Sequence, residues 1–305
     1  MEKTLLVIAG PTASGKTDLS IRLAKYFQTE IVSADSRQCY REMSIGTAKP
    51  SPEVLNTIPH YFINSHSIHE NLNAADFESL ALAYLQDVFS RKDVAILCGG
   101  TGLYIKALCD GIDVMPEVDE RVEKRIRQSF ENNGIAWLQH ELKEKDPIFF
   151  QQAEQENPVR LIRALTFWEC HGKSILDFKS GEKKQRPFRI IKIAVDVPRA
   201  LLYQRINQRV DAMMQQGLME EINALYPYRA LKNLQTVGYS EFYEQGDFPL
   251  SNEQVMLAVE KVKQHSRNYA KRQLTWFRKD KDFHWFPPEH FESILEFLNN
   301  KMQLV

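Results

Sequence analysis

Eight consecutive residues near the start of the chain have the composition of an anion-binding turn. Gly10, Pro11, Thr12, Ala13, Ser14, Gly15, Lys16 and Thr17 match G-x-x-x-x-G-K-[ST] in full. Such a turn aims backbone N–H groups and a helix N-terminus at a phosphate, with the lysine supplying a point charge. Thr17 can place its hydroxyl on a magnesium ion shared with the phosphates, so Mg2+ is the expected cofactor. The pattern specifies a di- or triphosphate ligand and leaves the reaction open. Nucleotide-hydrolysing relatives of this turn often carry an acid at the tip of a second strand. Here the best strand for that role, Val94 to Cys98, runs into Gly99-Gly-Thr-Gly-Leu-Tyr104 with no acid at its tip. The acid nearest the expected site is Asp35, directly after another apolar run, Glu30 to Ala34. An Asp there either caps a helix or faces the ligand crevice that forms at C-terminal strand ends.

The elements that must position these groups follow from periodicity. Thr4 to Ala9 is a short, continuous apolar run rich in β-formers, as for a strand buried on both faces. Asp18 to Phe27 and Ala74 to Phe89 have helical spacing and alternate with the strands at Glu30 to Ala34 and Val94 to Cys98. That alternation predicts an α/β fold, a P-loop NTPase-like parallel sheet flanked by helices. From Asp119 to Gly172 the spacing is helical, and Ile190 to Val197 restores a strand. The expected organisation is therefore a core in two parts, 1–113 and 190–305, interrupted by a helical insertion at 114–189. The remainder should be mainly helical, over Arg199 to Leu225 and Asn252 to Lys279.

Net charge is −1, from 39 basic and 40 acidic residues, so no global attraction to polyanions is expected. The distribution is less even. Between Glu260 and Asp282 stand eight basic residues and three acidic ones. One concentrated basic face can hold a polyanion through phosphate contacts, and a solvated helix face is the alternative. Tyr269, Trp276 and Phe277 on the same helix read as core residues. No run approaches the ~18 apolar residues of a membrane span, and no signal segment is recognisable at the start. The four cysteines show neither disulfide nor zinc spacing. The cytosol is the expected compartment, and a monomer the expected state.

Together these segments resemble the tRNA dimethylallyltransferase family. The resemblance covers nearly the whole chain. Besides the first turn it rests on Ser33-Ala-Asp-Ser-Arg-Gln-Cys-Tyr40, Ile45-Gly-Thr-Ala-Lys-Pro50, Ala74-Ala-Asp-Phe77 and Gly99-Gly-Thr-Gly-Leu-Tyr104. Further on come Arg160-Leu-Ile-Arg-Ala-Leu165, Val237-Gly-Tyr239 and Ala270-Lys-Arg-Gln-Leu-Thr-Trp276. The resemblance implies transfer of a dimethylallyl group from dimethylallyl diphosphate to N6 of adenosine 37 in the anticodon stem-loop of tRNA. Asp35 matches the proton-accepting aspartate, and Thr101 the threonine that contacts the reacting nucleotide. Lys16, the turn amides and Arg209 match the groups that hold the diphosphate, with Thr17 on magnesium. For tRNA it implies Asp35, Ser36, Arg37, Gln38 and Thr101 at the site, with Arg160, Arg163, Arg267, Lys271, Arg272, Gln273 and Arg278 outside it. The target adenine would have to be flipped out of its stack to reach such a site. The chain departs from the family pattern at Pro59-His-Tyr-Phe-Ile-Asn64, at Val159, and at Glu123. An adenylate isopentenyltransferase, a P-loop nucleotide kinase and a non-catalytic RNA-binding protein are the rival readings.

Overall fold

The computed structural model describes residues 2–303. Six strands, all parallel, form one sheet: β1 (Thr4–Ala9), β2 (Ile31–Ser33), β3 (His60–Tyr61), β4 (Val94–Gly99), β5 (Arg189–Val195) and β6 (Phe283–Phe286). Their spatial order is β3-β2-β4-β1-β5-β6. The parallel α/β architecture expected from the alternating pattern is what the chain adopts. β1 lies between β4 and β5, in register from Thr4 opposite Val94 and Arg189 to Ala9 opposite Gly99 and Ala194. Strands in this position are covered on both faces, which is why their sequences are continuously apolar rather than alternating.

Successive β1 side chains nonetheless go to different cores. Leu5, Val7 and Ala9 pack with Phe77, Ala81 and Leu85 of the Ala74–Arg91 helix and with Ile105 and Leu108 of the Gly102–Asp110 helix. Leu6 and Ile8 pack instead with Leu19 and Leu23 of the Lys16–Phe27 helix and with Ile294 and Leu298 of the Phe291–Met302 helix. The sheet thus carries one helical layer on each face, joined through the period-2 alternation of its strands.

The two outermost strands were not foreseen. β3 has two residues, and β6 reads Phe-His-Trp-Phe, so neither offers a continuous apolar run. The region expected to be helical from Arg199 onward divides into Arg199–Gln215 and Leu218–Leu225, broken at Gly217, whose φ is 97°.

The chain divides into two compact units. One is Met1–Gly111 with Lys184–Val305, and the other is Ile112–Lys183. Residues 184–189, assigned above to the insertion, fall in the first unit. There Lys184 and Arg186 reach the carboxylate of Glu78, at 3.1 and 2.7 Å. The regular structure of the second unit is all helical: Glu120–Lys145 with a break at Gly134, Pro147–Gln152, Pro158–His171 and a 3-10 turn at Ile175–Phe178. Its core is built from Ile126, Leu138, Leu142, Leu161, Leu165 and Phe167. No helix among the described residues is long and apolar enough to cross a membrane.

Candidate active site

A cavity of about 270 Å3 opens at the C-terminal ends of β1, β2 and β4. In parallel sheets this is where loops from both layers converge. Thr12, Lys16 and Thr17 line it from the first turn, Asp35 to Gln38 from the end of β2, and Cys98 and Gly99 from the tip of β4. Ile206, Arg209, Val210 and Met213 enter from the Arg199–Gln215 helix, and Val262, Ser266, Tyr269 and Gln273 from the Asn252–Lys279 helix. The lining therefore combines charged groups with an aliphatic set, Ile206, Val210, Met213 and Val262.

The turn has the geometry its sequence demands. Gly15 sits in the left-handed region, φ 91°, which lets the helix begin at Lys16 without any side-chain cap on its first N–H groups. Those groups stay available to an anion. Ser14 donates its N–H to Pro11 O at 3.3 Å, and the Lys16 ammonium reaches the same carbonyl at 3.1 Å. Ser14 Oγ is buried with no partner among the described residues.

Two cations converge on this turn. Arg209 donates to Thr12 Oγ1 at 3.3 Å. Burial lowers the pKa of Arg209, a shift partly offset by Asp35 and Asp18. The Lys16 ammonium is lowered too, chiefly by burial and further by Arg209, while Cys98 and Asp35 pull the other way. Both groups would be relieved by a bound anion, since a negative charge restores the protonated form that burial disfavours.

Asp35 faces the cavity, and what it caps is a turn at residues 36–39, not a helix. Its Oδ1 accepts from the N–H groups of Arg37 and Gln38, at 2.9 and 3.3 Å, and so fixes the turn after β2. Among the described residues its Oδ2 accepts no hydrogen bond, and the residue lines the cavity. Thr101 stands behind that turn. Its Oγ1 accepts from Ser36 N–H at 3.1 Å and donates to Ser36 Oγ at 3.4 Å. Gln38 ties the same turn to the carbonyls of Thr47 and Ala48, at 3.1 and 3.2 Å, and Arg37 reaches Asn233 Oδ1 at 3.4 Å.

Gln273 is placed differently from its basic neighbours. It is 7% exposed, its Oε1 accepts from Thr12 N–H at 2.9 Å, and its Nε2 donates to Gly100 O at 2.8 Å. The side chain clamps the phosphate-binding turn to the turn after β4 instead of facing outward. Replacing Gln273 with Leu keeps the volume and strips both bonds. We expect a loss of about 1–3 kcal/mol in stability together with weaker binding of inorganic diphosphate in calorimetry. An unchanged melting temperature and affinity would show the clamp to be dispensable.

Lys271, Arg272 and Arg278 are exposed on the other side of that helix, and Arg267 is half-buried against Asn207 Oδ1 at 2.7 Å. Arg160 and Arg163 are exposed on the Pro158–His171 helix of the second unit, Arg160 paired with Glu154 at 3.4 Å. The three aromatics expected in the core separate. Phe277 is buried at 1%, Tyr269 lines the cavity with its hydroxyl pushed up to about 12 by burial, and Trp276 is 42% exposed.

One supporting group escaped the sequence reading. Glu221 accepts from the N–H groups of Ser44, Ile45 and Gly46, at 2.9, 2.8 and 2.9 Å, and from the Tyr239 hydroxyl at 2.7 Å. It holds the Ile45–Lys49 segment against the Val237–Tyr239 turn, two motifs that the sequence shows but does not connect. An acid at 221 carries no local signature of this task.

Comparison with known proteins places these features in a family. A model described as "IPP transferase" matches residues 38–280. The tRNA dimethylallyltransferase of Flavobacterium johnsoniae is 46% identical over 292 residues, 93% of each chain. That of Cytophaga hutchinsonii is 43% identical over 303 residues, 99% of each. The crystal structure of the full-length tRNA isopentenylpyrophosphate transferase from Bacillus halodurans superposes with a TM-score of 0.72 at 33% identity, covering 99% of this chain and 97% of that one. The cavity, its phosphate-binding turn and the motifs around it are thus found in a chain that belongs to the IPP transferase family of prenyl-transferring enzymes.

Proposed function

We propose that this protein transfers the dimethylallyl group of dimethylallyl diphosphate to N6 of adenosine 37 in tRNA, releasing diphosphate. The observation that carries the reading is the juxtaposition, in one cavity, of two desolvated cations at a phosphate-binding turn with a carboxylate near enough to interact with both. The diphosphate occupies the turn, held by its amides, Lys16 and Arg209. The N6 lone pair attacks C1 of the allyl group as the C1–O bond breaks, and the bonding pair leaves with the diphosphate. Asp35 Oδ2 takes the proton that N6 sheds. Because Oδ1 is held by two N–H groups, the carboxylate is oriented before substrate arrives. Lys16 and Arg209 stabilise the charge that grows on the leaving oxygens, in a site whose walls keep water scarce. The aliphatic lining residues Val210, Met213 and Val262 accommodate the uncharged parts of both substrates.

The residues present fit a magnesium ion. Thr17 offers a hard hydroxyl oxygen from the cavity wall, and no group of three His, Cys, Asp or Glu residues forms a cage among the described residues. Substrate phosphate oxygens and water would complete the shell, as is usual for this ion. Bound there, magnesium supplies neutralisation of the leaving group's charge. We assign the reaction to the cytosol, in keeping with four free cysteines.

Incubation with dimethylallyl diphosphate, magnesium and an anticodon stem-loop bearing adenosine 37 should release diphosphate and add one isopentenyl mass to that nucleoside. ATP should be neither needed nor hydrolysed, since Cys98 and Gly99, not an acid, stand at the tip of β4. Free AMP should be a poor acceptor. ATP-dependent phosphorylation without prenyl transfer would overturn the reading in favour of a kinase.

The exposed basic face of the Asn252–Lys279 helix is assigned to tRNA phosphates. Replacing Lys271 and Arg272 together with Ala should weaken tRNA binding and flatten its salt dependence, by roughly 0.7–0.9 in log–log slope for each lost contact. Affinity for dimethylallyl diphosphate should hardly change. An unaltered salt slope would remove this face from the docking surface.

A further inference from the structure

A second cavity, of about 260 Å3, lies on the other side of the turn that follows β4. Trp276, Phe277 and Phe283 give it aromatic walls, and Lys106 and Lys279 stand exposed beside them. Lys192 lines it as well, 7% exposed and paired with Asp280 at 2.7 Å.

Trp276 is the residue that needs explaining. It is 42% exposed, while Phe277, next to it on the helix, is 1% exposed. Its indole is nevertheless fixed in place. A side chain at Gly102 would put Cβ 2.2 Å from the ring, so the glycine is what lets the indole lie against the start of the Gly102–Asp110 helix. A large aromatic seated this closely, yet left open to water over much of its surface, is arranged as a platform.

The two cavities share their supports. Gly99 lines the catalytic cavity and Gly102 the second; Gln273 lines the catalytic cavity and Trp276 the second. Three residues of helix separate Gln273 from Trp276, about 4.5 Å along the axis. That displacement is comparable to the spacing of successive nucleotides in a strand, about 3.4 Å when stacked and more when drawn out. Aromatic faces stack any base, and lysines hold phosphates.

We propose that the second cavity receives an unstacked nucleotide of the RNA substrate, the immediate neighbour of the one that enters the catalytic cavity. Its base stacks on Trp276, and Lys106 and Lys279 hold its phosphates. This rests on the RNA-modifying function proposed above. The test is a double-mutant cycle read by binding. Wild type, Trp276→Ala and Trp276→Phe are titrated with three stem-loops: intact, abasic on the 5′ side of the target, and abasic on the 3′ side. Trp276→Ala should weaken the intact loop on the order of tenfold, and Trp276→Phe much less. With one of the two abasic loops, Trp276→Ala should cost nothing further, which also names the neighbour. Full, additive losses with both abasic loops would overturn the proposal, as would an unchanged affinity of Trp276→Ala for the intact loop. Melting temperatures of the variants separate loss of contact from loss of fold. A wild type that binds the stem-loop but transfers no prenyl group would count against the function and leave this cycle readable.

Discussion

Asp35→Asn should bind tRNA and dimethylallyl diphosphate normally and turn over ~10²-fold more slowly, or worse. The geometry makes this substitution unusually clean. The amide oxygen of Asn can keep the Oδ1 bonds to the N–H groups of Arg37 and Gln38, so the turn after β2 survives. What disappears is the basic oxygen facing the cavity. Single-turnover measurements at saturating substrates isolate that loss from binding. Near-normal turnover would leave Asp35 with the cap alone. Asp35→Ala, by contrast, should damage both functions, releasing the N–H groups of Arg37 and Gln38 as well as removing the base.

Arg209→Ala should slow prenyl transfer by about 10²–10³-fold. Removing one of two buried cations deprives the leaving diphosphate of a preorganised charge and leaves Thr12 Oγ1 without its donor. The loss should be smaller than simple addition would give, for a reason visible in the site. Arg209 is one of the groups that lowers the Lys16 pKa, so its removal makes Lys16 easier to keep protonated. Arg209→Lys should restore part of the rate, retaining charge without the planar fork. Unchanged kcat and KM in Arg209→Ala would move diphosphate stabilisation entirely onto Lys16 and the turn.

How much of this was legible beforehand depends on whether the signal is local. The phosphate-binding turn is contiguous, and its glycines and lysine have one common purpose, so type and spacing suffice. The four inner strands announce themselves as apolar runs because both faces are covered. β3 and β6 do not, since an edge strand of two or four residues has too little buried surface to dictate composition. Gln273 could have been recognised. Val262, Ala270 and Phe277 mark the buried stripe of its helix, and 273 falls on that stripe between the last two. A polar residue at a core position calls for an internal partner. Glu221 could not, because the three N–H groups it accepts from lie more than 170 residues away in the chain. The separate fates of Trp276 and Phe277 were likewise hidden, as one residue of helical phase decides which aromatic is covered.

The central place of β1 has a consequence for synthesis. Its partner β5 begins at Arg189, about 180 residues after β1 ends at Ala9. At ribosomal rates of roughly 5–20 residues per second, that strand waits on the order of 10–40 s for its second neighbour. Throughout that interval one edge of Thr4–Ala9, apolar on both faces, is an open template for pairing with other chains. The helical unit between them is thus also a delay, and a message truncated anywhere before residue 189 would yield a fragment whose most adhesive strand is its least protected.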